Sequence, residues 1–425
     1  MGIEYGEKRS TFIDYGRPSL FLDFAKRKSL VDAISRNNLI TFTRSSTGTY
    51  VGSDGLIKTA AADEPRFDHD PETGESLGLL IEDSRTNYVA YSENFNTWWT
   101  ITVIGSVTAN STTSPDGNNN GTLLVNKQST AFTVDGQTIY YGGQIFRSAF
   151  AYTGAGSHTW SLFAKAKECD IISIIANTQG GGAKQAYFDL SNGTVFFAPS
   201  ETTCVIEPYP NGWYKCSVTW NQGLNVPYAY NIQVYSNTEI TGSDGIYIWG
   251  AQLEKSSFPT SYIPTSGSTV TRQPDNAQIT GTNFTDWYNA TEGTIFTAFN
   301  NMQNSYDTLW AIGEVSATIR RIVYEKNKII IRTDSGGGST VLNHTLSNSN
   351  KSSVSYNSTE KKVYESLNGS SVLSSFTHSE SWITASGFQI GGQQFIAAQL
   401  ANTHIKQLLY YPTRLTNTQL QALTQ

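Results

Sequence analysis

The chain has 425 residues, 15% of them charged and 12% aromatic, with 29 Lys+Arg against 35 Asp+Glu for a formal net charge of -6. That length holds two or three domains with cores of their own. The acidic balance and the lack of any basic block exclude a nucleic-acid track, because phosphate binding needs clustered Lys and Arg. No apolar run approaches the roughly 18 to 20 residues of a membrane span. The N-terminus has no apolar signal-peptide core, and Gly6 stands where an N-myristoylation motif wants Ser or Thr, so synthesis in a cytoplasm without export is expected.

Residues 1–88 are rich in charge and in Asp-Pro and Pro-Arg punctuation, with short apolar runs only at LFLDF, LITFT and LGLLIE. Such a stretch is too thin for a core of its own. Its apolar pieces are expected to find a surface elsewhere, on the domain that follows or on a neighbouring subunit. From residue 89 to 270 the pattern changes to strand-like runs, ISIIAN, AYFDL, TVFFA, YKCSVTW, AYNIQVY and IYIWGAQL, separated by turn segments such as LSNGT and PYPNG. β-branched and aromatic runs at this spacing predict a β-sandwich. A Pro-, Ser- and Thr-rich stretch from Pro264 to Gln278 reads as a linker and domain boundary. Residues 271–425 repeat the rhythm with GTIFTAF, RRIVYE, KIIIRT, SSVSYN and KKVYES, so a second sandwich is predicted, with the piece from Gln278 onward expected to fold alone. Asn368-Gly369 is a tight-turn signal. Thr416 with Gln419 forms a capping box for a short closing helix docked through Leu420 and Leu423. The fold class is therefore all-β, two tandem sandwiches preceded by an irregular segment.

Candidate chemistry is sparse. Asp68, Asp70, Glu72 and Glu75 form the densest acidic cluster, and Asp68, Asp70 and Glu75 are weak calcium candidates. An EF-hand type loop wants glycine sixth, where Thr73 stands, so a structural turn competes with that reading. His69, His158, His344, His378 and His404 are isolated, and no nucleophile elbow or phosphate loop occurs. Gly180–Gly182 and Gly336–Gly338 read as hairpin turns rather than phosphate loops. Cys169, Cys204 and Cys216 have no zinc spacing and are expected reduced. No cofactor, no metal and no catalytic residue is assigned. An exposed aromatic ring with a polar tip is the natural platform for a sugar face. Trp98, Trp99, Trp287 and Tyr288 lie in polar, loop-like contexts and are the glycan candidates, with packing against a neighbouring domain as the competing role; Trp213, Trp220 and Trp249 sit in strand runs and belong to a core.

The segment from Ile40 to Phe95, with FTR (Phe42 to Arg44), PRFDHDP (Pro65 to Pro71), GLLIE (Gly78 to Glu82) and RTN (Arg85 to Asn87), resembles a segment of tailed-bacteriophage structural proteins that precedes lectin-like domains. NGWYKCSVTW and GIYIWGAQLEKSSFPTSYIPT resemble the closing strands of a carbohydrate-binding-module type jelly roll. VYESLNGSSV, FQIGGQQ and HIKQLLYYPTRLTNTQLQALTQ resemble a concanavalin A-like, laminin-G-type domain. The resemblance implies a non-enzymatic virion protein, a tail fibre or other surface appendage, made in the host cytoplasm. Its N-terminal 88 residues would dock on other virion proteins, and the whole would form a homo-oligomer, a trimer by analogy with fibres. A glycan-binding adhesin recognising host-surface glycan is the alternative, and a polysaccharide depolymerase the second.

Overall fold

The computed structural model describes residues 15–150, 155–178, 182–222, 228–300, 302–303, 307–313, 321–332, 340–375, 385–392 and 401–425. His378, Gly180, Gly181 and Gly336–Gly338 lie outside them. The chain is nearly all β and builds two sandwiches. No described helix is long and apolar enough to cross a membrane.

The first sandwich packs a six-stranded sheet, ordered Thr202–Tyr209, Trp213–Gln222, Gly156–Ala166, Gly245–Glu254, Gly121–Asn126 and Ile104–Thr112, against a seven-stranded one. The second sheet centres on Gln137–Phe150, Tyr228–Ser236, Ile171–Thr178 and Gly182–Asp189. Side chains alternate across each strand, so Ile172, Ile174 and Ala176 face inward with Tyr230, Ile232 and Val234. Opposite them lie Trp160, Leu162, Cys216, Val218 and Trp220. Three strands of the six-stranded sheet also carry large apolar residues on the outward face. There Phe163, Trp213, Trp249 and Tyr262 form a second cluster with Ile57 of the N-terminal segment.

The second sandwich draws strands from both ends of the chain. Thr403–Tyr411 pairs with Glu292–Asn300 on one side. On the other it takes Leu20–Leu22 through residues 408–410 and Ser76–Ile81 through residues 403–405. Thr41–Thr43 adds to the edge of the facing sheet through Asn276–Thr280. LFLDF and LGLLIE thus find their surface on the C-terminal sandwich and not on the first one. The reason is pairing and burial together: Leu20, Leu22, Phe24, Leu79 and Ile81 enter the same core as Trp310, Tyr324, Val354 and Ile405. Gly78 is required by this approach, since a Cβ there would collide with the Ile405 carbonyl, and its φ is 94°.

The first sandwich is therefore an insertion within the second. The chain leaves the host sandwich through Arg85–Asn87 and returns through Val270–Arg272, and these two strands pair with each other. Pro264 to Gln278 is not an unstructured linker but part of this junction, with Arg272 and Asp275 buried to 1% and 0% exposure. Asn87 bonds across it, donating to Ala251 O and Ile263 O and accepting from Leu253 N and Val89 N. The buried Arg272 and Asp275 stand among residues that are mostly exposed, Pro264, Ser266–Thr271 and Gln273.

Those charges form one network. Asp275 accepts from Arg44 Nη1 at 3.0 Å and from Arg66 Nη2, while Glu82 accepts from Arg66 Nη1 at 2.7 Å and lies 3.0 Å from Arg272 Nη1. Ser261 donates through N and Oγ to Glu82. Burial raises the Glu82 pKa, but Arg272 and Arg66 outweigh it and hold the carboxyl well below the usual range. Its stabilising contribution is therefore complete above its ordinary value of 4.5 and is lost as pH falls below that. Asp83 runs the other way: burial, opposed by Arg85, pushes it up to about 6, so its ionisation costs stability above that pH and the cost fades toward 3.8. Urea midpoints measured against pH should drop below pH 4.5, and Glu82→Gln should flatten that drop at the expense of stability at neutral pH. An unchanged acid slope in the variant would contradict the assignment.

The closing elements follow the sequence reading. Helix Asn417–Thr424 carries the capping box of Thr416 and Gln419, and Leu420 docks it on Phe296, Leu409 and Tyr411. Asn368 and Gly369 both have positive φ, 49° and 73°, and Ser370 N bonds back to Leu367 O. Gly369→Val forces a β-branched residue into the left-handed region and should destabilise by about 1–3 kcal/mol in thermal or urea unfolding.

Candidate functional site

A cleft of about 610 Å³ opens where the two sandwiches and the N-terminal segment meet. Its floor is built by the strand Arg66–His69, held against the hairpin Gly48–Val51/Ile57–Ala60 by Val51 N donating to Asp68 Oδ1 at 2.6 Å. One wall is the outward face of the first sandwich, where Tyr209 stands edge-on to Phe163 with ring centroids 5.0 Å apart. The second sandwich supplies the opposite rim through Asn300, Gln303, Asn348 and His404. His404 Nε2 donates to Asp68 Oδ2 at 2.7 Å, tying the last strand of the chain to the floor.

His69 is the unusual group. Its Nδ1 lies 3.0 Å from Val51 O, and a carbonyl can only accept, so Nδ1 carries a proton. The residue is 4% exposed and Nε2 has no hydrogen-bond partner. A buried polar atom without a partner costs stability. The half-buried Tyr209 and the carboxamide rim can offer a polyhydroxylated molecule a ring for its C–H groups and polar atoms for its hydroxyls.

The acidic cluster singled out in the sequence reaches this cleft in part. Asp68, Asp70 and Glu72 line it, whereas Glu75 pairs with Lys406 at 3.3 Å. The three calcium candidates are engaged separately. Asp68 takes Val51 N and His404; Asp70 Oδ1 takes the N–H groups of Glu72 and Thr73 and the Thr73 hydroxyl, a turn that keeps its pKa low despite burial. Among the described residues no group of three or more His, Cys, Asp or Glu is arranged to hold a metal ion.

None of the four aromatic glycan candidates lines the cleft. Trp99 and Trp287 are buried at 4% and 5% exposure, one in each core. Tyr288 is half-buried and stacks on Phe284 at 4.5 Å. Trp98 is half-buried under Arg147, whose guanidinium lies 4.6 Å from the ring centroid. Trp213, Trp220 and Trp249 are buried, as expected of strand-borne tryptophans. Tyr209 and Phe163 were not picked out from the sequence. The available signal was strands apolar on both faces, which marks an outer face that something covers.

No family model matches the chain and no curated protein matches it. Among solved structures, the CBM40 of a Ruminococcus gnavus IT-sialidase bound to α2,3-sialyllactose is similar over 32% of this chain and 84% of its own, with 17% identity and a TM-score of 0.28. The NanB sialidase of Streptococcus pneumoniae is similar over 35% of this chain and 26% of its own, with 15% identity and a TM-score of 0.30. The LG1-3 region of the laminin α2 chain is similar over 64% of this chain and 65% of its own, with 11% identity and a TM-score of 0.24. At such scores none of them says what this chain binds.

Proposed function

We propose that this protein is a non-catalytic carbohydrate-binding protein whose binding site is the cleft between the sandwiches. The observation that supports it most is the cleft of about 610 Å³, which the half-buried Tyr209 lines together with the carboxamides of Asn300, Gln303 and Asn348. The full-length chain on a glycan array should bind a subset of saccharides, and free sugar should compete. Binding to none would remove the reading. Incubation with a bound polysaccharide should release no reducing ends. Steady release would make the protein a depolymerase.

Within this reading, the resemblance of Ile40 to Phe95 favours an appendage of a tailed-phage virion, where many copies per particle make weak saccharide contacts effective. The segment also has a structural task, since Arg44, Arg66, Glu82 and Asn87 of its motifs build the junction. Imaging of particles from a producing host would test the virion assignment: labelled protein on the tail or surface supports it, and protein found only free in the lysate opposes it.

A further inference from the structure

We propose that the edge strand Thr130–Val134 of the inserted sandwich is a docking surface for a second copy of this chain, the two strands pairing antiparallel about Ala131. The proposal does not rest on the carbohydrate reading.

Thr130–Val134 ends the seven-stranded sheet, and among the described residues no strand pairs with its other side. It joins Gln137–Phe150 through the two-residue turn Asp135-Gly136, whose φ angles are 48° and 76°. In such a hairpin the residues flanking the turn exchange both hydrogen bonds, and every second residue does so after them. Val134, Phe132 and Thr130 therefore bond inward, while Ala131 and Thr133 aim N–H and C=O outward. Sheet edges are ordinarily blunted by charge, proline or a bulge. The other edges of this sandwich are: Thr202–Tyr209 carries Glu207 and Pro208, and register shifts interrupt the pairing of Ile104–Thr112 and Thr194–Phe197. Thr130–Val134 has five uncharged residues in unbroken register. Thr130 to Thr133 are exposed, Phe132 to 51%. The same edge continues through Thr100–Thr102, where Ile101 is 43% exposed and the adjoining Val103 39%.

Charge selects a second copy as the occupant. Outward backbone groups must meet outward groups, which leaves only a few registers for a two-fold pairing. With Ala131 opposite itself and Thr133 opposite Ser129, Lys127 of each copy stands opposite Asp135 of the other, so opposite charges meet at both ends of the pairing. Lys127 and Asp135 are exposed. Pairing about Phe132 instead would set Lys127 opposite Gln137 and Asp135 opposite Ser129, and the match would be lost. In the matched register Phe132 faces Thr130 of the other copy and lies diagonal to its Phe132, within reach of an aromatic ring.

The test is sedimentation velocity of the full-length protein over a concentration series, which should show a monomer–dimer equilibrium. Ala131→Pro removes an outward N–H that the chain's own sheet does not use, and should leave the protein monomeric where the unsubstituted chain is dimeric. Thermal unfolding checks that the variant folds. Lys127→Glu and Asp135→Lys each bring like charges together at both ends, and each should raise the dimer Kd about tenfold. An equimolar mixture of these two variants should recover the original Kd, because opposite charges meet again across the mixed pair. If Ala131→Pro does not fold, the two charge variants, both at exposed positions, decide the matter. A monomer at every concentration, a trimer, or a dimer indifferent to folded Ala131→Pro would overturn the proposal. Failure of the mixture to recover the dimer would overturn the register, and with it the choice of a second copy as the occupant.

Discussion

Residues 271–425 expressed alone are expected to be unfolded, and adding residues 15–88 as a separate chain is expected to restore the sandwich. The C-terminal sheet would lose the partners of Thr403–Tyr411 at Leu20–Leu22 and Ser76–Ile81, and the facing sheet would lose Thr41–Thr43. The core would also lose Leu20, Leu22, Phe24, Ile40, Phe42, Leu79 and Ile81. Each such side chain contributes about 1.5–3 kcal/mol on burial, and a whole domain is stable by only about 5–15 kcal/mol. The loss therefore exceeds the margin. Far-UV circular dichroism and urea titration of the fragment, with and without the complementing segment, provide the check; a cooperative transition of residues 271–425 by themselves would show that the N-terminal strands are decoration. By the same account, a chain beginning near Asn87 loses its C-terminal sandwich, whereas the inserted sandwich keeps its own core.

Asp275→Ala is expected to destabilise the protein by about 3–5 kcal/mol, because it leaves the buried guanidinium groups of Arg44 and Arg66 short of a counter-charge. Both arginines and the aspartate have side chains with 0% exposure. Asp275 also accepts from Glu82 N at 2.9 Å, so one substitution removes its bonds to Arg44, Arg66 and Glu82 together. The exposed pair of Asp54 and Lys58, at 2.8 Å, provides the contrast: Asp54→Ala should change stability by about 0.5 kcal/mol or less. Equal effects from the two substitutions would mean that burial does not set the strength of the network.

Much of the strand content was legible because buried strands are written in β-branched and aromatic residues. ISIIAN and AYNIQVY lie within Ile171–Thr178 and Tyr228–Ser236, and the KIIIR of KIIIRT is the strand Lys328–Arg332. Ile104–Thr112 escaped notice, since an exposed edge strand such as IGSVTANST has the composition of a loop. The insertion was not legible at all: LFLDF pairs with residues close to 390 positions away, and local pattern carries no such information. Arg272 and Asp275 looked like linker polarity because a buried ion pair and a solvated one use the same letters, and only the positions of Arg44 and Arg66 tell them apart. In the site, DHDPETGE stood out as acidic and does bring Asp68, Asp70 and Glu72 to the cleft. His69, between two of those carboxylates, was passed over as isolated, since its missing partner becomes visible only once Val51 O is seen to fix its ring.

The most direct measurement is hydrogen–deuterium exchange of the full-length protein with and without an oligosaccharide selected on the array. A ligand seated in the cleft should slow exchange in residues 68–72 on the floor, 207–209 on the aromatic wall and 402–404 on the opposite rim, three segments far apart in sequence that meet only there. Protection confined to a single sandwich, away from all three segments, would contradict the assignment of the cleft as the carbohydrate site.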